Sequence, residues 1–84
     1  MESVRVRVLF WAQVKEVAGK SEEYYQVKEG STVEQLIERI LKRHPEIGKL
    51  SKSVRIAVNG ELITDSHYLK EGDVIALLPP FAGG

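Results

Sequence analysis

The chain has 84 residues and a formal net charge of zero, because 12 Lys and Arg balance 12 Asp and Glu with both His neutral. A single small domain of this charge is neither a mainly electrostatic nucleic-acid binder nor a polybasic membrane anchor. The sequence holds no Cys, which excludes a disulfide scaffold, a cysteine-ligated zinc site and a thiol nucleophile.

The N-terminal third predicts two strands separated by a helical turn. Residues 4–11 alternate with the period of two that is typical of a strand. Residues 13–19 are short and mixed, and Gly19 is a natural end for a helical turn. Residues 22–27 alternate again and predict the second strand. In the first strand one side carries Val4, Val6, Val8 and Phe10, and the other carries Arg5, Arg7, Leu9 and Trp11.

Residues 33–41 predict the one main helix. Two capping boxes are possible at its start, Ser31 with Glu34 or Thr32 with Gln35. Pro45 stops the helix, because proline has no N–H to donate and disfavours helical geometry at the residue before it. The apolar residues recur at the spacing of a single helical stripe, formed by Val33, Leu36, Ile37, Ile40 and Leu41.

The C-terminal half predicts three further strands. Residues 47–52 are irregular, and residues 54–58 alternate up to an Asn-Gly tight turn that leads into a short return strand at 61–63. Residues 74–78 form an unbroken apolar run, which predicts a central strand covered on both faces or exposed to a partner. The fold class is therefore α+β: a sheet of about five strands, one face covered by the helix, with the first and last strands adjacent at its centre.

Few side chains suggest catalysis by this chain. His44 ends the helix and His67 lies in a polar loop, and we interpret both as surface residues, since a metal site needs several convergent ligands. The acidic pairs Glu22–Glu23 and Glu71 with Asp73 lie in or beside turns and are interpreted as solvated. We therefore expect no bound metal. No Gly spacing matches a phosphate-binding loop, so we also expect no nucleotide bound by this chain.

The last six residues, 79–84, are predicted to leave the domain of residues 1–78 as an extended tail. Two prolines stiffen its start, Phe81 has little domain left to bury it, and two final glycines are thin enough to thread a narrow channel. Extended, the tail reaches about 20 Å from the domain. The residues alone allow either a frayed terminus or a functional tail whose reactive group is the Gly84 carboxylate.

Leu9 and Trp11 share a face of the first strand with two arginines, and Leu78 of the last strand is a candidate third member of this apolar group. Two interpretations of the group are open. One is a second small core beneath residues 13–19, and the other is an apolar patch near the base of the tail that docks a partner. No apolar run approaches the roughly 20 residues of a membrane span, and the first residues lack a signal-peptide core, so we expect a cytoplasmic protein.

Several stretches carry a family resemblance. They are residues 8–16, the turn at 58–60, the turn at 69–73, residues 75–80, and above all the ending Pro79-Pro80-Phe81-Ala82-Gly83-Gly84. Together they resemble the MoaD family, the small subunits of molybdopterin synthase, whose fold is the ubiquitin-like β-grasp. Phe81 is a departure, because that position often carries a smaller aliphatic residue in the family.

The resemblance implies a sulfur carrier that binds no cofactor of its own. The Gly84 carboxylate would be adenylated by an ATP-using enzyme of the MoeB type and converted to a thiocarboxylate, with Gly83 as spacer. The two subunits would form a hetero-oligomer, in which the tail enters a large subunit of the MoaE type that holds the catalytic residues. There the sulfur would pass to cyclic pyranopterin monophosphate. The expected partner contacts are Pro79, Pro80, Phe81, Ala82 and Gly83 of the tail, with Leu9 and Trp11.

Three alternatives share the fold and the terminal glycines. One is a sulfur carrier for another pathway, either thiamine thiazole synthesis (ThiS-like) or tRNA thiolation. Another is a protein modifier joined through its C-terminus to lysines of target proteins, and the last is an interaction module with an inert tail. Residues 79–82 and the loop at 10–13 favour the molybdopterin synthase subunit over the other sulfur carriers.

Overall fold

The computed structural model describes residues 2–50 and 54–79. Within these residues the chain forms five strands, two α-helices and a 3-10 helix, in an order that agrees with the predicted one. The elements are β1 (Ser3–Phe10), α1 (Ala12–Ala18), β2 (Glu22–Lys28), α2 (Val33–Arg43), the 3-10 helix Pro45–Leu50, β3 (Arg55–Val58), β4 (Glu61–Leu62) and β5 (Val74–Leu78).

The strands form one mixed sheet in the order β2-β1-β5-β3-β4. The first strand, β1, pairs antiparallel with β2 and parallel with β5, while β5 pairs antiparallel with β3. The last strand of the chain therefore lies at the centre of the sheet beside the first, as predicted. The α+β class with about five strands is confirmed.

The core lies between α2 and the inner face of the sheet. The side of β1 that carries Val4, Val6, Val8 and Phe10 is buried, and Val8 has no exposed surface. Leu36 and Ile40 of α2 are also fully buried against this face, together with Ile75 of β5. Each such side chain stabilises the fold by about 1.5–3 kcal/mol relative to an exposed position. The helix is thus held by its apolar stripe, and its other sides face solvent.

The capping box at the start of α2 uses Thr32 and Gln35, and the alternative with Ser31 and Glu34 is wrong. Thr32 Oγ1 accepts a hydrogen bond from the Gln35 N–H at 3.3 Å, and Gln35 Oε1 accepts one from the Thr32 N–H at 2.9 Å. The choice depends on a distant segment, because Thr32 pairs with Tyr68 in an isolated bridge and the Ser31 carbonyl accepts from the Leu69 N–H.

Replacing Thr32 by Ala is expected to lower the free energy of unfolding by about 1 kcal/mol, the usual contribution of a helix N-cap side chain. The matched control is Ser31→Ala, whose neighbouring hydroxyl belongs to the other register and should be nearly neutral. Urea denaturation followed by circular dichroism measures both. Equal losses for the two variants would contradict this assignment of the cap.

Most element bounds differ from the predicted ones by one or two residues. The strand β1 ends at Phe10, so Trp11 lies outside it as the N-cap of α1. The predicted helical turn is confirmed as α1, whose C-cap Gly19 has a φ of 81°. Residues 45–50 form a 3-10 helix that overlaps the segment 47–52 expected to be irregular, and its Ile47 packs into the core at 2 % exposure.

Candidate functional site

The face of the sheet turned away from α2 carries a row of apolar side chains across four strands. Leu9 of β1 pairs with Ala76 of β5, Ala76 pairs with Ala57 of β3, and Ala57 pairs with Leu62 of β4. Residues paired in this way point to the same side of a sheet. With Val74 and Leu78, the other residues of β5 on this face, the row forms what we term the outer strip: Leu9, Ala57, Leu62, Val74, Ala76 and Leu78.

The outer strip explains the unbroken apolar run of β5. Ile75 and Leu77 point inward and are almost fully buried, whereas Val74 and Leu78 are only half-buried on the outer face. Leu62 is 53 % exposed. The sequence pattern singles out Leu9 and Leu78 but not the four other members. The available signal was that a central strand with no polar position needs an apolar environment on each face.

Charged and aromatic side chains border the outer strip on the β2 side. The Arg5 guanidinium lies 4.4 Å from the centre of the Tyr24 ring. Arg7 Nε donates to Glu22 Oε1 at 2.5 Å, and this hydrogen bond and the charge of Glu22 raise the pKa of Arg7. An apolar centre with a polar rim is the usual anatomy of a protein–protein interface.

Trp11 stands at the end of the outer strip beside the last strand. Its side chain is 54 % exposed, and its backbone N–H donates to the Leu77 carbonyl at 3.2 Å. The next residue, Ala12, has a φ of 50°, a left-handed conformation that a non-glycine residue adopts at a cost. A small core beneath residues 13–19 would bury Trp11. Instead Val14 of α1 packs into the main core, and the indole is left in solvent.

An open groove of about 410 Å³ runs beside Trp11. Leu9 and Trp11, the two predicted partner contacts of the domain, both line it. Its charged walls are Arg7, Lys15 and Glu22. A half-exposed tryptophan above an open groove is a common anchor for a partner, because aromatic side chains bury a large area at low entropic cost.

The described part of the tail is Pro79, which follows directly from Leu78 at the centre of the sheet and is half-buried. The chain therefore leaves the sheet next to the outer strip and within two residues of the backbone contact made by Trp11. The remaining predicted tail residues, Pro80, Phe81, Ala82, Gly83 and Gly84, lie outside the described residues.

One acidic residue interpreted as solvated is in fact buried. Glu23 is 7 % exposed, and its carboxylate accepts from the Tyr25 hydroxyl at 2.8 Å. His44 Nε2 lies 2.9 Å from the carboxylate and Lys20 Nζ lies 3.3 Å from it. The interpretation of His44 as an ordinary surface residue is also wrong, because its ring is mostly buried against Phe10 in an edge-on contact at 5.5 Å.

The surroundings of Glu23 lower its pKa. Burial by itself raises the pKa of this carboxyl, but the hydrogen bonds from His44, Tyr25 and Lys20 outweigh that effect. Because the folded state holds Glu23 below its ordinary pKa of 4.5, ionisation favours folding. This contribution to stability is complete above the pKa of Glu23 in the unfolded state. It is lost as the pH falls through the lower pKa of Glu23 in the folded state.

Glu23→Gln is therefore expected to lower the free energy of unfolding at neutral pH by about 2 kcal/mol, the scale of hydrogen bonds to a buried charged group. The difference from the parent chain should shrink below pH 4.5, where the parent loses the same contribution. The control is Glu22→Gln, whose exposed ion pair should change stability by less than about 0.5 kcal/mol. Urea midpoints measured from neutral to acid pH distinguish the two, and a constant difference would contradict the linkage.

Asp73 is the second acidic residue that proves to be buried, at 6 % exposure. It accepts from the Asn59 side-chain amide at 2.9 Å and from the Lys70 N–H at 2.8 Å. Asn59 Oδ1 in turn accepts from the Val74 N–H at 2.9 Å. These bonds join the predicted Asn-Gly turn to the start of β5, so the role of Asp73 is to hold β3, β4 and β5 in register.

In residues 2–50 and 54–79, no three His, Cys, Asp or Glu side chains converge on a position that would hold a metal ion. None of the helices in this part of the chain has both the length and the apolar character needed to cross a membrane.

Comparison with known proteins gives a consistent set of relatives. The model of the ThiS family matches residues 8–84. The molybdopterin synthase sulfur carrier subunit of Chlamydomonas reinhardtii is 34 % identical over 83 residues, which cover 96 % of this chain and 100 % of the relative.

Solved structures match the whole domain. A Pyrococcus furiosus protein, provisionally described as subunit 1 of a molybdopterin converting factor, has a TM-score of 0.84 at 36 % identity and covers 93 % of this chain and 99 % of its own. A chain in the complex of subunits 1 and 2 of the Helicobacter pylori molybdopterin-converting factor has a TM-score of 0.72 at 28 % identity, with 96 % and 100 % covered. SAMP1 of Haloferax volcanii, a small archaeal modifier protein, has a TM-score of 0.79 at 26 % identity, with 95 % and 99 % covered. The expected β-grasp fold is confirmed.

Proposed function

The chain belongs to the ThiS family, and on that premise we propose that it is the sulfur carrier subunit of a molybdopterin synthase. Its resemblance to the small subunits of that enzyme is confirmed by relatives that align over nearly its whole length. The observation that carries the proposal is the 34 % identity to a molybdopterin synthase sulfur carrier subunit over 83 residues. The structural support is the partly exposed apolar face at the root of the tail, where Leu62 is exposed and Leu9, Val74 and Leu78 are half-buried.

The proposed reactive group is the main-chain carboxylate of Gly84. A carboxylate is a poor electrophile, so an activating enzyme of the MoeB type first joins one of its oxygens to the α-phosphorus of ATP, with release of pyrophosphate. Hydrosulfide from a sulfide donor then attacks the carbonyl carbon, its C–S bond replaces the C–O bond to the phosphate, and AMP leaves. The resulting thiocarboxylate sulfur is a nucleophile at neutral pH, and its acceptor in this proposal is cyclic pyranopterin monophosphate. ATP is bound by the enzyme and no cofactor by this chain.

The proposed partner-binding surface comprises the outer strip, Trp11 and the tail. Leu9, Trp11 and Pro79 would hold the domain against a large subunit of the MoaE type while residues 80–84 enter its active site. Five extended residues reach about 17 Å beyond Pro79, so a docked domain can present its terminal carboxylate at the bottom of a deep cleft. In this arrangement Pro80, Phe81 and Ala82 contact the cleft walls and Gly83 is the spacer. The Helicobacter pylori complex of subunits 1 and 2 supports a hetero-oligomer of this kind.

Intact-mass spectrometry tests the proposal. The chain is incubated with a MoeB-type enzyme, ATP and a sulfide donor, and the expected product is heavier by the difference between one sulfur and one oxygen atom. Fragmentation should place that difference on Gly84. The large subunit and the pterin precursor are then added, and the mass should return to its original value as molybdopterin forms. A chain that gains sulfur but does not release it to the pterin would instead serve another thiolation pathway.

A second candidate function is conjugation to other proteins, which the likeness to SAMP1 favours. A modifier forms an isopeptide bond between its terminal carbonyl and a lysine amine, so it would appear in cell extracts as covalent adducts of higher mass. We expect the free thiocarboxylate to predominate over such adducts. Mass spectrometry of the tagged chain purified under denaturing conditions decides between them.

A further inference from the structure

A positively charged surface lies on the other side of the sheet from the apolar outer strip. Three cations, Arg39, Lys42 and Arg43, stand on the edge of α2 that faces β2. With Tyr25 they line an open groove of about 370 Å³. A neighbouring groove of about 250 Å³ continues along the same junction and adds Lys28. We term this surface the basic seam: Lys28, Arg39, Lys42 and Arg43, with Tyr25 at its floor.

The spacing of these charges is unfavourable for the helix itself. Residues three and four apart on a helix are neighbours, and like charges at that spacing destabilise it by a few tenths of a kcal/mol per pair. Positive charge suits the last turn of a helix, which holds Lys42 and Arg43, but Arg39 precedes that turn and gains nothing from it. In the part of the chain that the structure describes, no carboxylate lies within 4 Å of the three cations of α2. A locally unfavourable pattern without a compensating ion pair points to a role outside the fold.

The two arginines are held in place instead of extending into solvent. The guanidinium of Arg39 lies 5.2 Å from the centre of the Tyr25 ring, and that of Arg43 lies 5.5 Å from it. Arg39 Nη1 also donates to the Gln26 carbonyl at 2.7 Å. A guanidinium has five N–H donors, so each arginine keeps several for a ligand. Positioned arginines lose less entropy when they bind a carboxylate, with which they form paired hydrogen bonds.

The nearest buried carboxylate neutralises the seam only in part: the Tyr25 hydroxyl and the charge of Glu23 raise the pKa of Arg43, but Glu23 forms no ion pair with the described cations of the seam. Both oxygens of Glu23 already accept from groups of this chain, Tyr25, His44 and Lys20. The acidic residues of α2, Glu34 and Glu38, line a different groove on the β4 side of the helix. Since the whole chain is neutral, the basic seam reflects segregation of charge on its surface and not an excess of Lys and Arg.

We propose that the basic seam is a docking surface for an acidic segment, a run of Asp and Glu side chains, on a partner protein. Charge complementarity favours an anionic partner, and the shallow form of the groove suits side chains of another protein better than a small ligand, which pockets surround on most sides. A nucleic acid is disfavoured because a neutral molecule gains little from contacts with a long phosphate backbone.

The position of the basic seam would allow two proteins to bind the chain at once, a consequence that rests on the proposed function. The sheet separates the basic seam from the outer strip and the root of the tail. One protein can therefore hold the carrier by α2 and β2 while another occupies the outer strip and the terminal glycines. A carrier loaded by one enzyme and unloaded by another would in this way remain tethered during the exchange.

The test is a nuclear magnetic resonance titration of the full, ¹⁵N-labelled chain with poly-L-glutamate. We expect saturable shifts confined to the amides of β2 and the second half of α2, and their loss in high salt. The double variant Arg39→Gln with Arg43→Gln should bind polyglutamate with an affinity at least about ten-fold lower than that of the parent chain. Lys42→Gln, at an exposed residue of the same groove, should also weaken binding and leaves both arginine contacts with the Tyr25 ring in place. The matched control is Lys49→Gln with Lys70→Gln, which removes two exposed cations from elsewhere and should bind as the parent does.

Three outcomes would overturn the proposal. They are shifts spread over all exposed cations, equal binding by the Arg39→Gln, Arg43→Gln variant and the parent, and tighter binding of a single-stranded oligonucleotide than of polyglutamate at the same salt concentration. The titration uses the unmodified chain without enzymes or ATP. Its failure would therefore leave the sulfur-carrier proposal intact, and failure of the thiocarboxylate assay would leave the docking result intact.

Discussion

Deleting Gly84 is expected to abolish sulfur delivery while leaving the folded domain unchanged. The shortened chain still ends in a glycine carboxylate, that of Gly83, so the chemistry of its terminal group is the same. Its reach, however, is shorter by about 3.5 Å, the length of one extended residue. Reacting atoms must approach within about 3–3.5 Å and a 1 Å misplacement can cost a hundred-fold, so we expect molybdopterin formation to fall by at least about a thousand-fold.

The measurement is molybdopterin formation by the purified chain with the activating enzyme, a sulfur donor, the large subunit and the pterin precursor. The control is Lys70→Gln, at an exposed residue outside the tail and the outer strip, which keeps the length of the tail and its terminal group and should retain the parent activity. Circular dichroism should show the same thermal unfolding for both variants and the parent, since no residue of the core is altered. A deletion variant that forms molybdopterin at the parent rate would refute the role of Gly84.

Trp11→Ala is expected to weaken binding to the large subunit by about 3 kcal/mol, or roughly a hundred-fold, as for the tryptophan anchors of other interfaces. The indole is half exposed and stands at the end of the outer strip, beside the strand from which the tail leaves. Its removal takes little from the core, so the fold should survive. Calorimetric titration of the large subunit with each variant measures the change in affinity.

The matched control is Tyr68→Ala. Tyr68 is also a strongly exposed aromatic residue, at 67 %, but it pairs with Thr32 and does not belong to the outer strip. We expect its removal to leave affinity within about three-fold of the parent. Equal losses for both variants would mean that the outer strip is not the surface in contact, and no loss for Trp11→Ala would exclude the indole as an anchor.

Much of the fold could be predicted because its main elements have strong local periods. The alternation in β1 and the apolar stripe of α2 each bury one face, so period and burial agree residue by residue. The start of α2 could not be decided in the same way. Ser31 with Glu34 and Thr32 with Gln35 are equivalent as local patterns, and the pairing with Tyr68, 36 positions further along the chain, selects the second.

The buried acids show a different limit of local patterns. Glu23 follows a turn and has an acidic neighbour, which is typical of solvated residues. It is buried because the end of α2 crosses the start of β2 and brings His44 within 2.9 Å of its carboxylate. Asp73 similarly depends on Asn59 from another turn. The partners that make burial of these charges tolerable are 21 and 14 residues away, so no short-range pattern could indicate them.

The sequence by itself determined the elements, the central place of the last strand and the terminal glycines on which the proposed chemistry depends, because these follow from local period and residue type. Only the tertiary structure decided which surfaces remain open. The outer strip takes its six residues from four strands, and the basic seam joins α2 to β2. The physical reason is that an exposed surface is defined by what distant segments leave uncovered and which charges they neutralise.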